Sequence, residues 1–260
     1  MVPLSVVIVT WNQDKKLEKC LWSIYNKEHS LLPEVVVVDN NSLDRTPEVL
    51  EKFPKIKKVK NQINRGVAVA RNQGIAKAQG KYLMMLDDDT HVYPGCFEKV
   101  ISFMDKNPDC WCAGTKTLND RGELEYNART FYTLPIILFR RTFLERFLPS
   151  NRFTRRHLMT DWDHNTSSEV DWVAGASYVM RREAIDKIGP FDEGYFFGFE
   201  DMDWCYRVHA AGKKVFYIHD AIIVHSAQRS SRKIFSKKAF SHLLSTFRFY
   251  YRNHLKKSYP

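Results

Sequence analysis

The chain has 260 residues, a net charge of +10, 44% hydrophobic content and 13% aromatic content. That is enough apolar material for one large folded α/β unit, and it excludes wholesale disorder. No apolar run approaches the ~20 residues of a membrane span, and five cysteines without a CxxC pair argue against a disulfide framework or a zinc site.

The first elements alternate. Leu4 to Thr10 and Glu34 to Val38 are short β-branched runs of the kind buried on both faces of a parallel sheet. Between them Leu17, Leu21, Ile24 and Tyr25 recur at helical spacing from Asp14 to Asn26. A helix start at Ser42–Pro47, a strand near Ile56 to Lys60, a helix from about Gly66 to Ala78 and a strand from Lys81 to Leu86 follow. This order implies an open, mostly parallel sheet, which binds ligands at the carboxyl ends of its strands. Those ends carry Thr10-Trp11-Asn12, Asp39-Asn40-Asn41-Ser42 and Asp87-Asp88-Asp89.

The aspartate triplet is the sharpest signal. Three adjacent carboxylates at the end of a buried strand repel one another unless a cation neutralises them. Hard oxygen ligands suit Mg²⁺ or Mn²⁺, which complete their coordination with water and substrate phosphates. A solvated acidic turn is the bland alternative for the triplet alone. An Asx-turn would account for Asn41 and Ser42.

Further along, a helix from Pro94 to Lys106 and a strand from Trp111 to Thr117 are expected, then a strand from Gly175 to Met180. A short helix ends at Gly189-Pro190. The aromatic loop Phe191–Phe199, with glycines at 194 and 198, delivers Glu200-Asp201-Met202-Asp203 to a helix start. Acidic residues there also serve as dipole partners.

Taken in order, VVIVTWN at 6–12, VDNNSLD at 38–44, Asn64-Arg65-Gly66 with Ala70-Arg71-Asn72-Gln73-Gly74, LDDDT at 86–90, Gly175-Ala176, Phe191-Asp192-Glu193, Glu200-Asp201-Met202-Asp203 and His225 form one pattern. It resembles the inverting family 2 glycosyltransferases of the GT-A fold, especially the bacterial branch of rhamnosyl- and galactofuranosyltransferases, over roughly residues 3 to 226. The resemblance implies an α/β, Rossmann-like central sheet flanked by helices. Its donor half would span 1–118 and its acceptor half 119–226, with a basic insertion at about 129–158 and a basic helical tail at 227–260. It implies donor contacts from Thr10, Asn12, Asp39, Asn41, Arg71, Asp87, Asp88 and Asp89, with Asp39 reading the base. A Mg²⁺ or Mn²⁺ site from Asp87, Asp89 and His225 follows from it, as do Asp201 as catalytic base and acceptor contacts from Trp172, Gly175, Ala176, Glu200 and Asp203. The implied donor is dTDP-rhamnose, with UDP-sugars next, and the implied acceptor is lipid-linked or a polysaccharide.

The charge excess is local. Nine basic residues and no acidic ones lie from Arg229 to the end, and seven arginines face a single acid, Glu145, between Arg129 and Arg156. Phe240, Leu243, Leu244, Phe247, Tyr251 and Leu255 form a helical stripe beside Arg248, Arg252 and Lys256. Ile136, Phe139, Phe143 and Phe147 form another beside Arg140, Arg141 and Arg146. Both suit an anionic membrane surface, or docking on the core or a second subunit. Nucleic acid is not expected, because no binding module is present. An aspartyl phosphotransferase fits poorly with His91 two residues beyond Asp89, and a P-loop is absent. A non-catalytic membrane scaffold sits badly with an intact Asp89 and Asp201. With no signal peptide pattern and no span, the expected location is cytoplasmic, peripheral on the inner face of the cell membrane.

Overall fold

The computed structural model describes residues 2–25, 28–141, 147–226 and 237–252. Strands β1 (Leu4–Thr10), β2 (Glu34–Asp39), β3 (Lys57–Lys60) and β4 (Tyr82–Asp87) run parallel in the order β3-β2-β1-β4. Val6, Val7 and Ile8 of β1 and Val35, Val36, Val37 and Val38 of β2 are buried on both faces, each contributing about 1.5–3 kcal/mol, which holds these strands at the centre. Helices α1 (Asp14–Ile24), α2 (Thr46–Glu51) and α3 (Val67–Lys77) make the crossovers. Helix α1 buries Leu17, Cys20, Leu21 and Ile24 against one face of the sheet, and α3 crosses the other face. Gly74 lets α3 approach β1, because a Cβ there would collide with Val7.

Beyond β4 the sheet becomes mixed. After β5 (Thr90–Val92), α4 (Cys96–Lys106) and β6 (Cys110–Leu118), the chain makes the short β7 (Leu124–Glu125) and β8 (Ala128–Arg129). Helices α5 (Leu134–Arg141) and α6 (Arg152–Leu158) then precede β9 (Ser168–Val170), β10 (Trp172–Val173) and β11 (Ser177–Arg181). Strand β11 inserts antiparallel between β4 and β6, and β12 (Lys214–His225) lies parallel to β6 and antiparallel to β5. The sheet therefore runs β3-β2-β1-β4-β11-β6-β12-β5, and residue 118 falls within one continuous sheet.

Helix α7 (Arg182–Ile188) stops at Gly189, whose φ of 80° is left-handed. Helix α8 (Glu200–Ala210) starts after Phe199, a bulky residue held at φ 76°. That backbone strain sits directly before the acidic first turn.

Helix α9 (Lys237–Tyr250) carries part of the expected basic segment. Arg248 donates to Asp192 at 2.8 and 2.9 Å, and Arg252, just past the helix, also pairs with Asp192. Ser245 and Phe249 are buried beside them, whereas Leu244, Phe247 and Tyr251 are more than half exposed. A Cβ on Gly194 would collide with Arg248, so this glycine admits a docked guanidinium. The side chains of Leu134, Arg141, Phe240 and Leu243, together with Phe143, Arg146, Arg229, Arg232, Lys233, Leu255, Lys256 and Lys257, lie outside the described side chains.

Candidate active site

Parallel register gathers the strand ends. Thr10 is level with Asp39 across β1 and β2, and Val9 is level with Asp87 across β1 and β4. Asn12 and Asn41 take left-handed φ of 55° and 70°, a conformation asparagine tolerates well. The Asn12 side chain accepts from Leu43 N at 2.7 Å, and Ser42 Oγ accepts from Asn12 N at 2.9 Å, so the two loops are fastened to each other. Asp39 is 1% exposed. Its Oδ1 accepts from Ser42 N at 2.8 Å, while its Oδ2 is buried without a partner. A buried carboxylate oxygen of this kind is costly unless a ligand donates to it.

The triplet is surrounded by protein cations. Arg71, on α3, donates to Asp87 Oδ1 at 3.1 Å, and Lys16 Nζ lies 3.2 Å from Asp89 Oδ2. His225 Nε2 lies 3.2 Å from Asp89 Oδ1, and His225 Nδ1 is 2.8 Å from Glu125 Oε2. Burial pushes Asp87 up to about 6 despite Arg71, and pushes Asp88 up to about 7 despite the Thr10 hydroxyl. Burial acts on Asp89 too, but His225 and Lys16 outweigh it and hold this carboxyl below its ordinary value. Burial disfavours a charged His225, yet Asp89 and Glu125 raise it to about 10.

Ligand atoms of Asp87, Asp89 and His225 all lie within 4.8 Å of one another. Two carboxylates and an imidazole whose other nitrogen is oriented by a carboxylate make a donor set suited to a divalent cation. The residues present therefore fit the metal.

The second half of the site arrives on β11 and α8. Arg71 Nη1 donates to Glu200 Oε1 at 2.7 Å, and Nη2 reaches the Gly175 carbonyl at 3.4 Å. Asp87 N donates to the Ala176 carbonyl at 3.0 Å. Asp201 Oδ2 would lie 3.2 Å from a Cβ on Gly175, so the glycine leaves the Asp201 carboxylate its room. Burial raises both Glu200 and Asp201; the charge of Asp201 helps push Glu200 up to about 7, Arg71 opposes both shifts, and Arg129 opposes that of Asp201.

Two expected acceptor contacts have partners within the protein. Asp203 is fully buried, with Oδ1 accepting from Tyr195 at 3.1 Å and Oδ2 paired with Arg207 at 3.2 Å. Its carboxylate fixes α8 to the aromatic loop. Trp172 is 7% exposed; its indole N–H donates to the Thr130 carbonyl, and Arg129 lies over its ring. Lys16 and Glu125 are site neighbours that the sequence reading missed. Neither carries a local signal, since they lie 73 and 100 positions from their partners.

The sequence pattern of Glycosyl transferase family 2 matches residues 5–188. The chain belongs to that family. The transferase is 26% identical to the N-acetylglucosaminyl-diphospho-decaprenol L-rhamnosyltransferase of Mycobacterium tuberculosis, over 95% of this chain and 83% of that protein. It is 39% identical to the rhamnosyltransferase WbbL of Escherichia coli over 80 residues, 31% of this chain and 30% of that protein. These relatives mark a hexosyltransferase of the rhamnosyltransferase-like branch. In fold it matches GalNAc-T7 with UDP, GalNAc and Mn²⁺ (TM-score 0.69, 18% identity) over 95% of this chain and 48% of that one. It also matches the mannosyltransferase PcManGT of Pyrobaculum calidifontis with GDP-Man and Mn²⁺ (TM-score 0.64, 19% identity) over 96% of this chain and 64% of that one. The chain thus spans about half and just under two thirds of those structures, and the shared fold is GT-A.

Proposed function

We propose that this transferase moves L-rhamnose from dTDP-rhamnose to a lipid-linked acceptor, with inversion and with a divalent cation. The observation that carries the reading is the Arg71 bridge. It ties the triplet, suited to a metal and diphosphate, to the Glu200–Asp201 pair, suited to activating a hydroxyl. Asp201 takes the acceptor proton as the acceptor oxygen bonds to the anomeric carbon. The bond from that carbon to the diphosphate breaks, and its electron pair leaves on the diphosphate oxygen. A cation held by Asp87, Asp89 and His225 would supply positive charge to the departing diphosphate. Asp39 Oδ2 accepts from the imino N–H of the base, while Thr10, Asn12, Asn41 and Asp88 line the donor. Gly175, Ala176 and Glu200 border the acceptor.

Asp39 serves thymine and uracil alike, so a UDP-sugar is the second reading. A panel of dTDP- and UDP-sugars with Mn²⁺ or Mg²⁺, read by thermal shift and nucleoside diphosphate release, separates the two. Stabilisation and release are expected with dTDP-rhamnose; a response to UDP-sugars alone favours the second reading, and no response to any donor contradicts both.

The acceptor reading draws on the decaprenol-linked substrate in the name of the mycobacterial relative. Among the described residues no helix is long and apolar enough to cross a membrane. Peripheral binding at the inner face of the cell membrane instead uses the exposed Leu244 and Phe247 of α9 and Tyr251 just after it, with exposed Arg152 and Arg156 on α6. Flotation with anionic vesicles tests this: wild type should float and Phe247→Asp should stay in solution, whereas equal flotation of both would count against this face.

A further inference from the structure

Lys16 stands in the first turn of α1, in an otherwise ordinary amphipathic helix. Its ammonium is 3.2 Å from Asp89 Oδ2 and 3.3 Å from the Ser226 carbonyl. Asp89 Oδ1 faces His225 Nε2, and Asp87 Oδ1 faces Arg71, so three protein cations or donors are spread over two carboxylates. These three respond differently to an arriving divalent ion. Arg71 is buried and also tied to Glu200, so it stays. His225 presents a ring nitrogen beside both carboxylates and can itself become a ligand. An ammonium has three donors and no lone pair, so Lys16 can share Asp89 with a metal only by yielding to it.

Lys16 is also free to yield. Its side chain is 21% exposed, and a flexible four-carbon stem carries a compact charge suited to phosphate oxygens. The diphosphate of a donor held by the triplet brings negative charge to the same place as the cation that displaces the lysine.

We propose that Lys16 is a diphosphate-binding residue of the donor site, held on Asp89 in the free enzyme and transferred to the donor's phosphates when metal and nucleotide bind. This rests on the metal-dependent transfer reading above. The lysine then has two opposed effects. In the free enzyme it competes with the metal for Asp89, and in the complex it replaces lost contacts with a charge-assisted bond to the leaving group.

The test is Lys16→Met with two binding measurements. Mn²⁺ titration of the nucleotide-free protein, read by the electron paramagnetic resonance of free Mn²⁺, should show affinity about threefold tighter than wild type, the scale of a partly exposed ion pair. Calorimetric titration of dTDP and UDP at saturating Mn²⁺ should show the nucleotide that wild type binds held roughly tenfold more weakly. Lys16→Arg should keep nucleotide affinity near wild type, which guards against a misfolded methionine variant. Unchanged or weaker Mn²⁺ binding by Lys16→Met, or unchanged nucleotide affinity, would overturn the proposal and leave Lys16 as a tie between α1 and the end of β12. Wild type that binds neither Mn²⁺ nor a nucleotide would instead remove the underlying reading.

Discussion

Arg71 Nη1 donates to Glu200 Oε1 at 2.7 Å across 129 positions of sequence. Both groups are about 5% exposed, and the second guanidinium nitrogen is already committed to Asp87. One buried arginine therefore sets the distance between the two halves of the site, and its planar fork is what allows two carboxylates to be held at once. Replacement by alanine strands the buried Glu200 without its counter-charge and takes one from Asp87, a change that costs about 3–5 kcal/mol. Arg71→Ala should lower stability on that scale in urea denaturation. Arg71→Lys, which can hold one carboxylate well but not both, should keep more of the stability and lose at least roughly tenfold in turnover. A lysine variant with full turnover would show that the bridge does not position the chemistry.

The Glu200–Asp201 pair sets the pH response. A base works only when ionised, so turnover is low below its pKa and rises above it. Burial raises Asp201 against Arg71, and that arginine is shared with Glu200, which burial and Asp201 push up to about 7. Glu200→Gln removes the carboxylate that competes for Arg71 and leaves the guanidinium to act on Asp201, so the acid limb of kcat should move to lower pH by roughly one unit. A limb that stays in place or moves upward would assign it to another group.

Asp39 offers a cleaner test of donor recognition. Its Oδ2 is buried and unclaimed, while Oδ1 is spent on the Ser42 backbone. Asp39→Asn can keep the Ser42 contact through its own oxygen and turns an N–H towards the base. Affinity for a pyrimidine nucleotide should drop roughly tenfold or more, the scale of a lost charge-assisted hydrogen bond, with little change in melting temperature. Calorimetric titration of dTDP and UDP reads the first, and a thermal scan reads the second.

Much of this arrangement was legible because β1, β2 and β4 are buried on both faces, and such strands read as unbroken β-branched or apolar runs ending in polar residues. The ligand edge follows from those endings. The insertion of β11 between β4 and β6 was not legible, since antiparallel pairing between segments about 90 residues apart leaves no local mark. The pairing of Asp203 with Arg207, four residues later on the same helix, was open to the i,i+4 rule and was not drawn from it. Periodicity also suggested which side of α9 is apolar, but not which side docks. Asp192 decides that, by drawing Arg248 and Arg252 inward.

The central claim is that Asp201 removes the acceptor proton while the triplet holds the donor. Its most direct test is the turnover of Asp201→Asn, read as nucleoside diphosphate release with the donor that stabilises the wild type, alongside calorimetric titration of that nucleotide in the presence of Mn²⁺. Turnover should fall by roughly a hundredfold to ten-thousandfold with nucleotide affinity unchanged. Transfer at the wild-type rate would contradict it.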